Sequence, residues 1–417
     1  MYLTKPIVSF YKNSRYNDEP QLFQYTAISK GNVWGGGISF DKNKAKNKAI
    51  GESIERYCLE KYDKKKFVYS SLNDLKGNFV NLNSVTSISR EQKRNLNFKG
   101  FIITKNSKFN WVIGKSLLSK KKVLIPAQLI FVPYTYKKNE PILRLPISTG
   151  AALGTDIYSA LIRGVFEVIE RDSFMIFYLN KLTAPEVNLE ISSLKLRKIK
   201  QCFQRYRLNL RLFDITSDLK VPVFMAILID STGVGPWVSV GLKCGFNKEE
   251  VAIGAIEEAQ HTRGWMRDEK LSVSKKEYKQ LIKMVKNIST TRERGLFWYS
   301  NKHAPELDFW LNSVENKKIT IHKEKYLKND EKDDFLKIKE ILKNNKMNAY
   351  YVDITIPEVS KLGFYAIKVV VPKLQPLHLN EKYPYLGGKR LQQIPVKLGY
   401  WKKNQKIYLN RFPHPFL

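Results

Sequence analysis

Three stretches of this chain pair a helix-capping residue with a glutamate at one fixed distance. Glu52 lies eleven residues after Asp41, Glu167 eleven after Asp156, and Glu258 eleven after Asn247. Eleven residues is about three turns of α-helix, so each glutamate stands nearly above its own cap. Two of the stretches continue alike, as Glu52-x-x-Glu55-Arg56 and Glu167-x-x-Glu170-Arg171, and the third reads Glu258-x-Gln260-x-x-Arg263. Residues at i and i+3 share a helix face, so the first two helices each offer carboxylates one turn apart.

An ordinary surface Glu–Arg pair accounts for a single ExxER. The repetition asks for more, because the glutamates fall among small or apolar neighbours: Ala49, Gly51, Gly164, Val165, Ala255 and Ile256. A buried carboxylate is costly unless it is paired or binds metal. Converging carboxylates in a basic chain point to a hard divalent cation, Mg2+, which takes oxygen ligands. Mg2+ held by few carboxylates keeps waters or phosphate oxygens, and so implies a nucleoside triphosphate. Arg56, Arg171 and Arg263 have the forked donors that suit phosphate. There is no GxxxxGK[ST] loop and no HRD or DFG set. The glycine-rich "GGGISFD" and "GAALGTD" could bring backbone N–H groups to phosphate at a helix N-terminus, or be simple turns.

The elements that must position these residues are legible in outline. "PIVSFYK" and "LFQYTAIS" read as strands. Each glycine cluster leads through its cap into a helix: after Asp41 with Ala45, Ala49, Ile50, Ile54, Tyr57 and Cys58, and after Asp156 with Ala160, Leu161, Val165, Val168 and Ile169. "LNLRLFDITSDLKVPVFMAILID" reads as two strands around a turn, so the helices should pack on sheet. Residues 268–345 are Lys-rich with helical stretches, and "LFWYSNKHAPELDFW" is expected to pack onto the core. "YYVDITIPEVSKLGFYAIKVVVPKLQPLH" reads as strand, short helix, strand and a proline-rich exit. His378 at its end reads as structural rather than as a base.

The 417 residues, 43% hydrophobic, can bury a large core. A formal charge of +33 would fit a polyanionic partner, yet the lysines are scattered without a long basic block, and a Lys-rich surface is the plainer reading. Cys58, Cys202 and Cys244 lie far apart with no CxxC, and the five histidines form no HExxH, so neither zinc knuckle nor disulfide framework is indicated. The first twenty residues lack a signal peptide's apolar core and no run is long enough to span a bilayer; a soluble, cytoplasmic protein is expected.

Together the three glutamate-bearing helices and the later stretch "YVDITIPEVSKLGF…IKVVVPKLQPLH" resemble the YcaO family over most of the chain. The resemblance implies an α+β fold, with mixed sheets packed by three related helices around an ATP site, as one catalytic domain over residues 1–417. It implies that Glu52, Glu55, Arg56, Glu167, Glu170, Arg171, Glu258, Gln260 and Arg263 bind ATP, the five glutamates holding Mg2+. "GGGISFD" lacks the lysine often found in the family's glycine stretch.

The ending "NRFPHPFL" resembles the PxPxP-like tail of the family's azoline-forming members, with Pro413 and Pro415 kept and Leu417 in place of the last proline. Prolines hold such a segment extended and lower the entropy cost of docking it. The resemblance implies that residues 410–417 reach the active site, where the Leu417 carboxylate serves as base or organises the site. It further implies an ATP-dependent cyclodehydratase that turns Cys, Ser or Thr of a ribosomal precursor peptide into azolines, as in bacteriocin maturation. A separate leader-binding partner of ubiquitin-activating-like type, a homodimer and, optionally, a flavin dehydrogenase would accompany it. Thioamide or amidine formation is the alternative within the family. A nucleotide-binding scaffold or a basic RNA-associated protein is the alternative outside it.

Overall fold

The structure, a computed structural model, describes residues 6–14, 16–313, 317–322 and 330–417. Parts of the Lys-rich stretch, 314–316 and 323–329, therefore lie outside the described residues. Strands β1 (Ile7–Lys12), β2 (Phe23–Ser29) and β3 (Val33–Ser39) form an antiparallel sheet, and helix α1 (Lys42–Glu60) follows at once. Next come β4 (Val68–Ser71), β5 (Lys108–Ser116), β6 (Lys122–Pro126) and β7 (Ala151–Gly154), then helix α2 (Ile157–Leu179). A third group holds β8 (Glu186–Val187), α3 (Leu194–Arg205), β9 (Leu208–Asp214), β10 (Val223–Asp230), β11 (Val238–Cys244) and α4 (Lys248–Leu271). The chain continues through α5 (Lys275–Leu281), α6 (Thr291–Trp298), β12 (Lys318–Ile319), β13 (Tyr350–Asp353) and β14 (Tyr365–Val370).

The second sheet runs β4-β5-β13-β14-β7, with β6 on β5, and the third runs β11-β10-β9-β8-β12. β9 and β10 pair antiparallel with Phe224 opposite Asp214, as their alternation predicts. The mixed α+β architecture of the sequence reading is present.

The same unit occurs three times: a strand (β3, β7, β11), a capping residue and a long helix. The caps are those the sequence names. Asp41 accepts from the Lys44 N–H, Asp156 from Tyr158 and Ser159, and Asn247 from Glu250, each satisfying free donors of the first turn. Small residues let helix and strand close up. A Cβ on Gly37 of β3 would collide with the Ala45 carbonyl and Ala49 amide of α1, and one on Gly241 of β11 with the Ala255 carbonyl and Ala259 amide of α4. These glycines serve close packing, not turns.

α1 packs on β2 and β3 and reaches β7; α2 lies against β7 and β14 and meets β11; α4 covers β10 and β11 and touches β3. The three helices thus share their neighbours across all three sheets. The largest core surrounds α2, whose later turns from Asp172 to Leu179 are wholly buried. Leu296, Phe297, Trp298 and Trp310 of the aromatic stretch lie in the same core, as expected of them.

Candidate active site between the three helices

Glu52 and Glu167 hold equivalent places. Each accepts a backbone N–H from the glycine stretch before its helix, Gly36 to Glu52 at 2.8 Å and Gly150 to Glu167 at 2.9 Å. Each also pairs with its i+4 arginine, Arg56 at 2.5 Å and Arg171 at 3.3 Å. The N–H groups of the glycine stretches thus meet the helix carboxylates. Arg56 also donates to the Trp34 carbonyl, and Arg171 forms a close ion pair with Glu170.

Two of the predicted carboxylates, Glu55 and Glu170, feel the charges of others in the set. Burial, then the charges of Glu167 and Glu52, push the Glu55 carboxyl up to about 8. Burial also raises Glu170, against the pull of Arg171 and Lys243 and with added repulsion from Glu258 and Glu167. Glu258 goes the other way. Burial would raise it, but Lys243, Lys48, His261 and Arg171 draw it down to about 2. Lys243 pairs with it at 3.4 Å.

Gln260 and Arg263 lead away from this cluster. Gln260 donates to Glu19 at 2.7 Å, and Arg263, 2% exposed, pairs with Glu19 at 3.0 Å and Asp230 at 2.8 Å. Helix geometry explains the divergence. At about 100° per residue, a residue at i+4 is displaced only ~40° around the helix, but one at i+5 is displaced ~140° and one at i+2 ~200°. Glu19 gathers Arg267 as well, at 2.6 Å, so the segment before β2 is fastened to α4 by a buried ionic network.

Several residues absent from the sequence reading stand in the cluster. Lys368 of β14 is buried, donates to the Ile147 and Thr149 carbonyls at 2.6 Å each, and lies near Glu167 and Glu55. Burial brings its amine down to about 8 despite those carboxylates. His261 lies over Gly36, where a Cβ would stand 2.6 Å from its Cε1, and feels Glu52 and Glu258. Lys48 bridges to Glu257 at 2.7 Å, and Glu257 accepts from Ser39 and Phe40. A cleft of about 400 Å³ lined by Lys44, Lys48, Lys243, Phe166 and Phe246 opens at this end. The i+3 offset of His261 from Glu258 and the i−4 offset of Lys48 from Glu52 were visible in sequence; Lys243 and Lys368 come from strands β11 and β14.

The tail runs inward. The Pro413 carbonyl accepts from the Tyr178 hydroxyl at 2.8 Å and the Trp298 indole at 3.2 Å, and the His414 carbonyl accepts from Arg294 at 3.0 Å. Pro413, Pro415 and Phe416 are buried, and Leu417 lies beside Gly295. The Arg171 guanidinium lies 4.4 Å from the centroid of the Phe416 ring, a cation–π contact. One arginine therefore touches two carboxylates of the cluster and the tail.

A family model described as YcaO cyclodehydratase, ATP- and Mg2+-binding, matches residues 36–375. The chain belongs to the YcaO family. Among solved structures, a heterocyclase in complex with substrate and cofactor aligns with a TM-score of 0.79 at 18% identity, over 98% of this chain and 55% of its own. The heterocyclase TruD aligns at 0.67 and 18%, over 90% of this chain and 51% of its own. YcaO from Methanopyrus kandleri, bound with AMPPCP and Mg2+, aligns at 0.61 and 16%, over 88% and 86%. The chain thus spans about half the length of the first two, and at these identities the likeness concerns the fold. An uncharacterised protein of Methanothermobacter thermautotrophicus is 25% identical over 161 residues, 38% of this chain and 42% of its own. No helix among the described residues is long and apolar enough to cross a membrane.

The cluster suits the ions of this YcaO family. Its donors are carboxylate oxygens, the set Mg2+ takes. A dication beside Glu55 would replace the proton that Glu167 and Glu52 help to hold there.

Proposed function

We propose that this YcaO protein is an azoline-forming cyclodehydratase acting on Cys, Ser or Thr of a ribosomally made precursor peptide. The observation that carries the reading is Arg171, which joins Glu167 and Glu170 to Phe416 of the tail. It links a divalent-ion cluster to a proline-held segment at one guanidinium.

Glu52, Glu55, Glu167, Glu170 and Glu258 are the proposed Mg2+ ligands. Arg56 and Arg171 are the proposed phosphate contacts, and the cleft beside Glu258, lined by lysines together with Asp41, Glu250 and Glu257, admits the nucleotide. ATP–Mg2+ supplies a phosphoryl group that turns an amide oxygen into a leaving group. The peptide's thiol or hydroxyl adds to the preceding carbonyl carbon and gives up its proton to a base. The oxygen then leaves as phosphate and the ring C=N forms, so the peptide loses one water and ATP becomes ADP and phosphate. Positioning and charge neutralisation by the carboxylate–arginine cluster do most of the work. Residues 413–417 border the reacting groups in this reading, through the contact of Phe416 with Arg171. Gln260 and Arg263 act one step back, holding α4 through Glu19 and Asp230.

A leader-binding partner protein is proposed as well. The E. coli microcin synthetase McbBCD complex, whose chain aligns at TM-score 0.58 over 89% of this one, supports an assembly, and a related structure has pro-MccB17 bound. A homodimer and a flavin dehydrogenase remain part of this proposal. Mass spectrometry of a co-expressed precursor tests the reaction. Losses of about 18 Da per ring are expected of ATP-driven ring closure; gains of about 16 Da would mean O-to-S exchange and a thioamide instead.

A further inference from the structure

His378, Glu381 and His414 come together outside the carboxylate cluster, from the loop after β14 and from the tail. One donor atom of each lies within 4.8 Å of the others. The two imidazole rings are 5.3 Å apart at 77°. His414 is completely buried and His378 is 4% exposed.

The hydrogen bonds fix which ring nitrogens are free. His414 Nε2 meets the His378 carbonyl at 2.7 Å, and a carbonyl only accepts, so this nitrogen carries the proton. His378 Nε2 faces Glu381 Oε2 at 3.3 Å, the separation of two ligands on one tetrahedral ion. His414 Nδ1 is then a lone-pair acceptor, and neither it nor His378 Nδ1 has a hydrogen-bond partner. An unmet polar atom in a dry interior is costly, and here each of two adjacent rings has one. A backbone carbonyl on the far nitrogen, as at His414, is the arrangement that orients a histidine ligating a metal.

Arg294 of α6 holds the frame. Its guanidinium pairs with Glu381 Oε1 at 2.5 Å and donates to the His414 and Leu379 carbonyls at 3.0 and 2.7 Å. Glu381 is thus anchored through one oxygen, with the other turned to His378. Burial, with the nearby Arg294 charge, keeps His414 neutral, the form a ligand needs. A cavity of about 440 Å³ lined by His378, Glu381, Asn410 and Phe412 gives access for an ion and its water.

We propose that His378, His414 and Glu381 bind a single borderline divalent ion of the Zn2+ type, which fastens the tail to the body of the protein. Two imidazole nitrogens and one carboxylate oxygen suit Zn2+ or Co2+ and not Mg2+. The ion's place is structural: it ties residue 414, and Phe416 two residues later lies on Arg171. The proposal stands independently of which reaction the protein performs.

The test uses the full chain, stripped with chelator and titrated with Co2+ alone, then with Zn2+. A single equivalent of Co2+ is expected to give the visible absorption of a four- or five-coordinate nitrogen–oxygen site, displaced by Zn2+, with Zn2+ raising Tm. His414→Gln and His378→Gln should each abolish that absorption, while Glu55→Gln should keep it. No stoichiometric binding by the unaltered chain overturns the proposal, whatever the variants do. So do a cobalt–thiolate charge-transfer band or binding unchanged in folded His414→Gln.

Discussion

The first two glutamate helices and the third carry nearly the same text and use it differently. In α1 and α2 the glutamate, its i+4 arginine and a glycine N–H form one local group, Glu52–Arg56–Gly36 and Glu167–Arg171–Gly150. In α4 the arginine is one residue further on and turns to the other side, where Glu19 and Asp230 enclose it. Glu258 takes its positive partner from β11 instead, as Lys243. One added residue moves a side chain about 100° around a helix, enough to change an element of the cluster into a buried fastening.

Removing charge from each kind of helix should have different consequences. Glu167→Gln or Glu258→Gln should lower ATP turnover by about a thousandfold or more, the scale of losing preorganised charge at a reacting phosphoryl group, with Tm little changed. Peptide-dependent phosphate release checks it; turnover near normal would remove these glutamates from the site. Arg263→Ala should act on stability, costing about 3–5 kcal/mol because Glu19 and Asp230 lose a buried partner. Urea unfolding reads this, and a loss below ~1 kcal/mol would mean that α4 does not differ from α1 and α2 in the way described. Glu55 offers a pH test. Its folded value, about 8, lies above its unfolded value near 4.5, so the folded state binds the extra proton. Its contribution is complete below the unfolded value and is lost as pH rises through about 8. Without Mg2+, stability should decline by at least ~1 kcal/mol across that window, and Glu55→Gln should flatten the decline. Arg56→Ala is the mildest change. Its side chain is half-exposed, so under ~1 kcal/mol of stability should be lost, while KM for ATP rises. An effect on unfolding as large as that of Arg263→Ala would erase the contrast.

Much of the arrangement was legible because local rules govern it. Capping residues, 3.6-residue periodicity and strand alternation act over a few residues, and Asp41, Asp156 and Asn247 cap the helices they were expected to cap. That Glu52 with Glu55, and Glu167 with Glu170, stand one turn apart on their helices also followed from spacing. The glycines were less legible. A glycine in a strand that lets an alanine-bearing helix approach, as at Gly37 and Gly241, has the same letter as a glycine in a turn. Gln260 and Arg263 could have been separated from the cluster by helix angle alone.

The α+β class, the three capped helices and the i, i+3 glutamate pairs could be read from the chain, because each depends on neighbours a turn or two away. Long-range packing brings Lys368 and Lys243 among those carboxylates, joins Lys48 to Glu257, draws Arg263 and Gln260 aside to Glu19, and rests His414 on His378. Those contacts join residues tens to hundreds of positions apart. Their strength rests on burial and on the geometry of charges brought together, which no local pattern records.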